Sequence, residues 1–327
     1  MQISADFIST PVEKKIPAPP RVVVVGAVNM DLAGTPFASL RPGDSNPGRI
    51  MLSPGGVGRN IAENLARLGV SVSLLTALGQ DHYGNFIREH CRRSGIDLSL
   101  SIADPDCPTS TYLCVNEPNG DLHIAVSDMR ICDRLLPAVL ADTVPVLNQS
   151  DLVILDANIP AETLAWLSQC ITVPLAADPV SVAKASRLKA ILPRIALLKP
   201  NAAEAEALTG IPVRNDSDLH RAADLLLERG VERVFLSMGE RGVLACDARQ
   251  RQQLPCFEAE VRNTTGCGDA FLAAVCLSWL QQDDLITSAR KGLAAAAVCA
   301  MDSGAVSGSL SPGMLDRFLE SCHPVSI

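Results

Sequence analysis

From Arg21 onward, short runs of β-branched residues alternate with stretches whose apolar side chains recur at helical spacing. That alternation predicts an α/β fold, a mostly parallel sheet covered by helices. Strands are expected at 21–25, 71–76, 151–155, 173–177, 195–199 and 233–237. Two of the helices between them are readable in detail. Over 59–68, Ile61, Leu65 and Leu68 fall on one stripe and Gly69 supplies the stop, and 218–229 repeats the design with Gly230 following. A chain of 327 residues would allow about two domains by length alone, but large α/β sheets often break that rule.

Two regions interrupt the alternation. Residues 33–53 are rich in Gly, Pro, Ser and Asn and follow a strand without a credible helix, while 109–126 reads as a hairpin turning at Pro118-Asn119-Gly120-Asp121. Together they could form a small β lid over one end of the main sheet, within a single unit spanning 21–327. Hydrophobic residues at 47% and charged residues at 20% describe an ordinary globular chain, and with aromatics at 3% its core must rest on Ala, Val and Leu. The formal net charge of -8 gives no general attraction to nucleic acid or anionic lipid. The longest apolar run, between Gly292 and Asp302, is far short of the ~20 residues of a membrane span. Eleven Cys, with no Cys-x-x-Cys pair, read as free thiols in a reducing, cytoplasmic setting, and the five His show no zinc-ligand spacing. Residues 1–20, with four prolines and no secretory apolar stretch, are expected to be a flexible tail.

Five segments could carry chemistry. Asn263-Thr-Thr-Gly-Cys-Gly-Asp269 precedes the apolar helical stretch 270–280, so backbone N–H groups of Gly266, Cys267 and Gly268 could converge at a helix N-terminus as an anion hole. Asp269 at the helix start is then either a base that reaches a substrate hydroxyl or a cap. Pro54-Gly-Gly-Val-Gly-Arg-Asn60 lets a ligand approach Gly55 and Gly56 closely and offers the Asn60 amide to a diol. Asn29 and Asp31 follow the first strand, at the sheet edge where ligands of open α/β folds bind. In Lys199-Pro-Asn-Ala-Ala-Glu204, Asn201 and Glu204 are three apart and could hold the water shell of Mg²⁺. Ser237-Met-Gly-Glu-Arg-Gly242 ends a strand in a turn that could seat a nucleotide through Ser237, Gly239 and Gly242. No Gly-x-Gly-x-x-Gly follows the first strand, which argues against a dinucleotide-binding dehydrogenase.

The order of these motifs resembles the ribokinase-like (PfkB) carbohydrate kinase family across roughly Arg21 to Leu319. Within it, Asp44-Ser-Asn-Pro-Gly-Arg-Ile50, Ser127-Asp-Met129 and Asp178-Pro-Val-Ser181 are similar to the pseudouridine kinase branch. The resemblance implies a three-layer α/β/α sandwich with a small β lid, and ATP-dependent phosphorylation of a ribosyl 5′-hydroxyl with Asp269 as base. It implies that Asn29, Asp31, Gly55, Gly56, Asn60 and, in Asp156-Ala-Asn-Ile-Pro160, Asn158 bind the riboside, and that Asn201, Glu204, Ser237, Gly239 and Gly242 serve Mg²⁺ and ATP. Lys184 either reaches a phosphate or is a solvated surface lysine. Two positions depart from the family pattern: Asn263 replaces a common Asp of a monovalent-cation site, which leaves potassium dependence open, and Cys267 replaces a common Ala. A ribokinase, another nucleoside kinase or a nucleotide-sensing binding protein would share the scaffold. The lid is a candidate contact with a second copy of the chain.

Overall fold

A computed structural model describes residues 18–321. Most of the expected tail, residues 1–17, lies outside the described residues. The chain opens with β1 (Arg21–Val25), β2 (Asn29–Pro36), β3 (Gly48–Gly55), α1 (Val57–Arg67), β4 (Ser71–Leu75), β5 (Ala77–Gly79), α2 (His82–Arg93) and β6 (Ile96–Asp97). It continues through β7 (Ile102–Asp104) and the hairpin β8 (Thr111–Asn116) and β9 (Leu122–Asp128), then the one-turn helices α3 (Pro137–Leu140) and α4 (Val144–Leu147). The second half runs β10 (Leu152–Asp156), α5 (Ala161–Cys170), β11 (Leu175–Asp178), α6 (Val182–Ala185), β12 (Ile195–Leu198), α7 (Ala202–Thr209), α8 (Asp216–Glu228) and β13 (Arg233–Ser237). It closes with β14 (Val243–Asp247), β15 (Arg251–Leu254), α9 (Cys267–Leu280), α10 (Leu285–Ala300) and α11 (Pro312–Ser321).

Nine strands form the main sheet in the order β15-β14-β13-β12-β11-β10-β1-β4-β6. All neighbours from β13 to β6 pair in parallel, and β14 and β15 add an antiparallel edge. The inner strands β1, β10, β11 and β12 are mostly apolar because both faces are covered. Val22 and Val24 of β1 enter one core with Ile61 and Leu65 of α1 and the apolar residues of α9 and α10. Val23 and Val25 enter the other, with Leu164 and Leu167 of α5, Leu208 of α7 and Leu226 of α8. The period-two alternation of β1 thus sorts its four valines between two layers, the α/β/α sandwich that the sequence led us to expect.

The strand starting after Pro174 begins at Leu175 rather than 173, since proline donates nothing to a ladder. The two interrupted regions supply a separate four-stranded sheet, β3-β2-β8-β9, in which β2 and β8 are parallel. It starts at Asn29, earlier than residue 33, so Asn29 and Asp31 sit on its first strand.

Glycines set how tightly α1 meets the end of β1. Gly56 caps α1 with φ 95°, and a Cβ on Gly58 would lie 2.8 Å from the backbone of Gly26. We expect Gly58→Ala to fold but to lose about 1–3 kcal/mol in urea denaturation, because backbone faces backbone and one chain must shift. Unchanged stability would show that this approach has slack.

Candidate active site

Helix α9 points its N-terminus at the carboxyl edge of the main sheet. Gly266 caps it at φ 81°, and any Cβ there would overlap Ala305 O. The first-turn N–H groups of a helix have no intrahelical acceptor. Of the three residues expected to form the anion hole, Cys267 already donates its N–H to Thr264 O at 3.3 Å. A cation supplements the hole: a Cβ on Gly268 would lie 2.6 Å from Lys199 Nζ, so the Lys199 ammonium rests against the Gly268 backbone. A side chain at this position would require the ammonium to move.

Asp269, in the first turn of α9, is buried at 8% exposure. Asn60 Nδ2 donates to its Oδ2 at 2.7 Å, joining residues 209 apart in sequence. Burial and the nearby Asp178 charge push the Asp269 carboxyl up to about 7, against the opposing pull of Lys199, Asn60 and Arg59. Lys199, also buried, pairs with Asp178 at 3.1 Å. Burial alone would pull its ammonium down; the Asp178, Asp269 and Glu204 charges outweigh that and hold it up. Asp178 Oδ1 meanwhile accepts from Val180 N at 2.7 Å and holds Val180 at φ 66°, a left-handed geometry that a β-branched residue rarely adopts. Sequence reasoning quoted Lys199 and Asp178 only as parts of motifs. Their signal was position, each at the carboxyl end of a parallel strand.

Of the residues expected to bind a riboside, Asn60 contacts Asp269 and the others are fixed around the end of β1 and along β2. Asn29 Nδ2 donates to Asp31 Oδ1 at 2.5 Å, and the Asp31 carboxylate packs so closely on Gly55 that any Cβ there would overlap it. Burial raises the Asp31 carboxyl above its ordinary value, opposed by the Asn29 bond and the Arg59 charge. Asn158 is held by its N–H to Asp156 Oδ1 at 2.8 Å, and Asp156 Oδ2 accepts from Ala27 N at the same distance. The half-buried Lys184 donates from Nζ to Asn158 Oδ1 at 2.5 Å.

A cavity of about 750 Å³ is lined by Ser237, Gly239, Gly242, Cys267, Gly268 and Lys199, among others. Asn201 and Glu204 do not line it. They form a capping box at the start of α7: Asn201 Oδ1 accepts from Glu204 N and Glu204 Oε2 from Asn201 N, both at 2.9 Å. Asn201 adjoins Ser237 through a backbone bridge. The Cys267 thiol donates to Asn263 O at 3.8 Å, and the neighbouring Cys299 thiol favours the Cys267 thiolate by more than burial opposes it. Asn263 directs Nδ2 to Ser303 O at 3.1 Å and accepts from Thr265 N at 3.0 Å, binding the loop as a neutral amide.

An α/β/α sandwich with a second small sheet, and a buried acid at a helix N-terminus beside a large cavity, is a ribokinase-like architecture. The pfkB family carbohydrate kinase pattern matches residues 19–312, and the chain belongs to that family. The chain is 37% identical over 261 residues to an Escherichia coli pseudouridine kinase, covering 79% of this chain and 83% of that one. A Haemophilus influenzae ribokinase is 25% identical, with 91% and 98% covered. Among solved structures, a carbohydrate kinase from Agrobacterium tumefaciens superposes at TM-score 0.83 with 30% identity, over 93% of this chain and 98% of that one. An Arabidopsis thaliana ribokinase complexed with ribose and ATP shares the fold at TM-score 0.83 and 22% identity, with 92% and 99% covered.

The raised Asp269 carboxyl has a consequence for stability. Between about pH 4 and about pH 7 the folded chain binds a proton there that the unfolded chain does not, so this group lowers stability as pH rises through that window. Asp269→Asn carries no such proton. Its melting temperature should gain on that of the unsubstituted protein from pH 4 to pH 8, and a difference independent of pH would show that the carboxyl is not perturbed.

Proposed function

We propose that this kinase transfers the γ-phosphoryl group of ATP to the 5′-hydroxyl of a ribosyl substrate, with pseudouridine as the acceptor. The observation that carries the reading is the position of Asp269, bonded to Asn60 on the riboside side and next to Lys199 and the nucleotide-sized cavity on the other. The 37% identity to a pseudouridine kinase supports the choice of acceptor.

In this reading Asn29, Asp31 and Asn60 hold the ribose hydroxyls, and Gly55 and Gly56 let the sugar approach the backbone. Asp269 accepts the proton of the attacking hydroxyl; a carboxyl near 7 stays partly ionised at neutral pH yet binds a proton well. The α9 N–H groups and the Lys199 ammonium face the charge that grows on the transferring phosphoryl group, which is the chief demand of this chemistry. Ser237, Gly239 and Gly242 line the nucleotide. Mg²⁺ would neutralise phosphate charge and takes few protein carboxylates besides phosphate oxygens and water. That habit fits Glu204, whose Oε2 is engaged in the cap and whose other oxygen, with Asn201, would reach the ion through water.

Asp269→Asn should lower kcat by ~10²–10⁴ while leaving ATP binding intact. In a panel of pseudouridine, uridine, adenosine and ribose, with products identified by mass, pseudouridine should give the highest kcat/KM. A site that bonds its extra ring N–H would reject uridine more strongly than an apolar pocket could. Equal values for uridine, or a lead for ribose, would move the assignment to another nucleoside kinase or a ribokinase. ATP bound with no phosphorylated product from any riboside would favour a nucleotide-sensing protein.

We also infer that a second copy covers the second sheet. Register places Leu52, Leu32, Leu113 and Val126 in one cross-strand row, and Ile50, Gly34, Val115 and Ile124 in the next. Ile50, Leu52, Leu113, Ile124 and Val126 are exposed. Sedimentation should find a dimer, and Val126→Lys should shift it toward monomer; a monomer at all concentrations would refute the contact. The free thiols among the described residues are compatible with a reducing, cytoplasmic setting.

A further inference from the structure

Asn60 meets Asp269 with its NH₂ group, although a carboxamide could as readily present its carbonyl. Arg59 accounts for the choice. Its Nη2 donates to Asn60 Oδ1, and a guanidinium, which has donors only, can face just that end of the amide. Arg59 is itself fixed on two further sides, by Nη2 to Pro54 O at 2.9 Å across the glycine-rich loop and by Nη1 to Glu63 Oε2 at 2.5 Å. Glu63 accepts in addition from Arg67 Nη2 at 2.8 Å and bonds His90 Nε2 of α2 at 2.8 Å. Arg59, Asn60 and Glu63 are all buried.

We propose that Arg59 is a positioning residue for phosphoryl transfer: anchored by Glu63, it locks the Asn60 amide so that a donor faces Asp269. This rests on the reading of Asp269 as the base. The lock matters because an amide turned the other way would set a carbonyl against the carboxylate and oppose its ionised form, the form that takes the proton. Among the charges near Asp269, Asp178 at the end of β11 opposes ionisation, Lys199 at the end of β12 favours it but is shared with Asp178, and the Arg59 charge adds a direct pull to the one it exerts through the amide. The anchor persists across the working range, since the bonds from His90, Arg59 and Arg67 outweigh burial and hold Glu63 at about 2.

Arg59→Met keeps the apolar stem and removes every donor. It should lower kcat by about 10²-fold with the KM for ATP unchanged, and move the acid limb of the kcat/KM profile to higher pH. Arg59→Lys, charged but without the planar fork, should recover part of both effects. If Arg59→Met fails to fold, Arg59→Lys carries the test, with the same shift at smaller size. His90→Ala removes one partner of Glu63 and leaves the clamp, so its profile should match the unsubstituted protein. An unshifted acid limb in folded Arg59 variants, or an equal shift in His90→Ala, would overturn the proposal. Should the unsubstituted protein phosphorylate no riboside, the kinase reading fails separately. The clamp is then read by ¹³C NMR of the Asp269 carboxyl, assigned with Asp269→Asn: an upward titration shift in the Arg59 variants supports it and no shift refutes it.

Discussion

The site depends on a lysine kept charged inside the protein. Lys199 is buried at the end of β12, against the Gly268 backbone and paired with Asp178 from the neighbouring strand β11. Removing a buried ion from water costs several kcal/mol, and only good geometry with opposite charges repays it. Parallel strands supply that geometry, because their carboxyl ends lie side by side and deliver side chains from different parts of the chain to one edge. Asp178 and the first turn of α9 arrive at that edge with Lys199. The lysine in turn lets a helix N-terminus and two carboxylates share a small volume. Without it, the Asp178 and Asp269 carboxylates would face each other with no cation between them.

Two close backbone approaches bring the remaining groups within reach. Gly58 packs on Gly26, which seats α1 directly on the end of β1 and turns Asn60 toward α9. Gly268 leaves space for Lys199. In each place a methyl group would displace backbone or the ammonium, so the glycines act by what they omit. The apolar surroundings of α9, buried along nearly its whole length, then fix the direction in which its N-terminus points. A helix apolar on all sides has no freedom to rotate about a solvent-exposed stripe.

Much of this was legible in the residues because the signals were local. The valines of β1 announce a strand covered on both faces, and the glycine-rich segments announce backbone approaches before helices. The strand ends at 25 and 237 agree with expectation. What the sequence hid was pairing between distant segments. Nothing near Asn29 shows that β2 lies parallel to β8, with Met30 opposite Thr111, and nothing near Lys199 shows that its ammonium reaches Gly268. Asn201 and Glu204 illustrate the opposite hazard. Their spacing of three is what a metal-facing pair and a capping box have in common, and the cap engages one oxygen of each.

The second sheet combines constraints that a core sheet never meets. Cross-strand partners share a face and neighbours along a strand alternate. The row through Asp31 therefore contains Ser53, Tyr112 and Ser127, and the adjacent row, on the opposite face, contains Leu52, Leu32, Leu113 and Val126. Asp31 packs on Gly55, and Gly55 leads straight into the loop that carries Arg59 and Asn60. Of that apolar row Leu52, Leu113 and Val126 are exposed, while Leu32 packs against the core. Any body that covers them presses on the same four strands that hold Asp31. The register of a single sheet thus decides which residues share the face of Asp31 and which share that of Leu113, with one residue of slip enough to exchange the two faces.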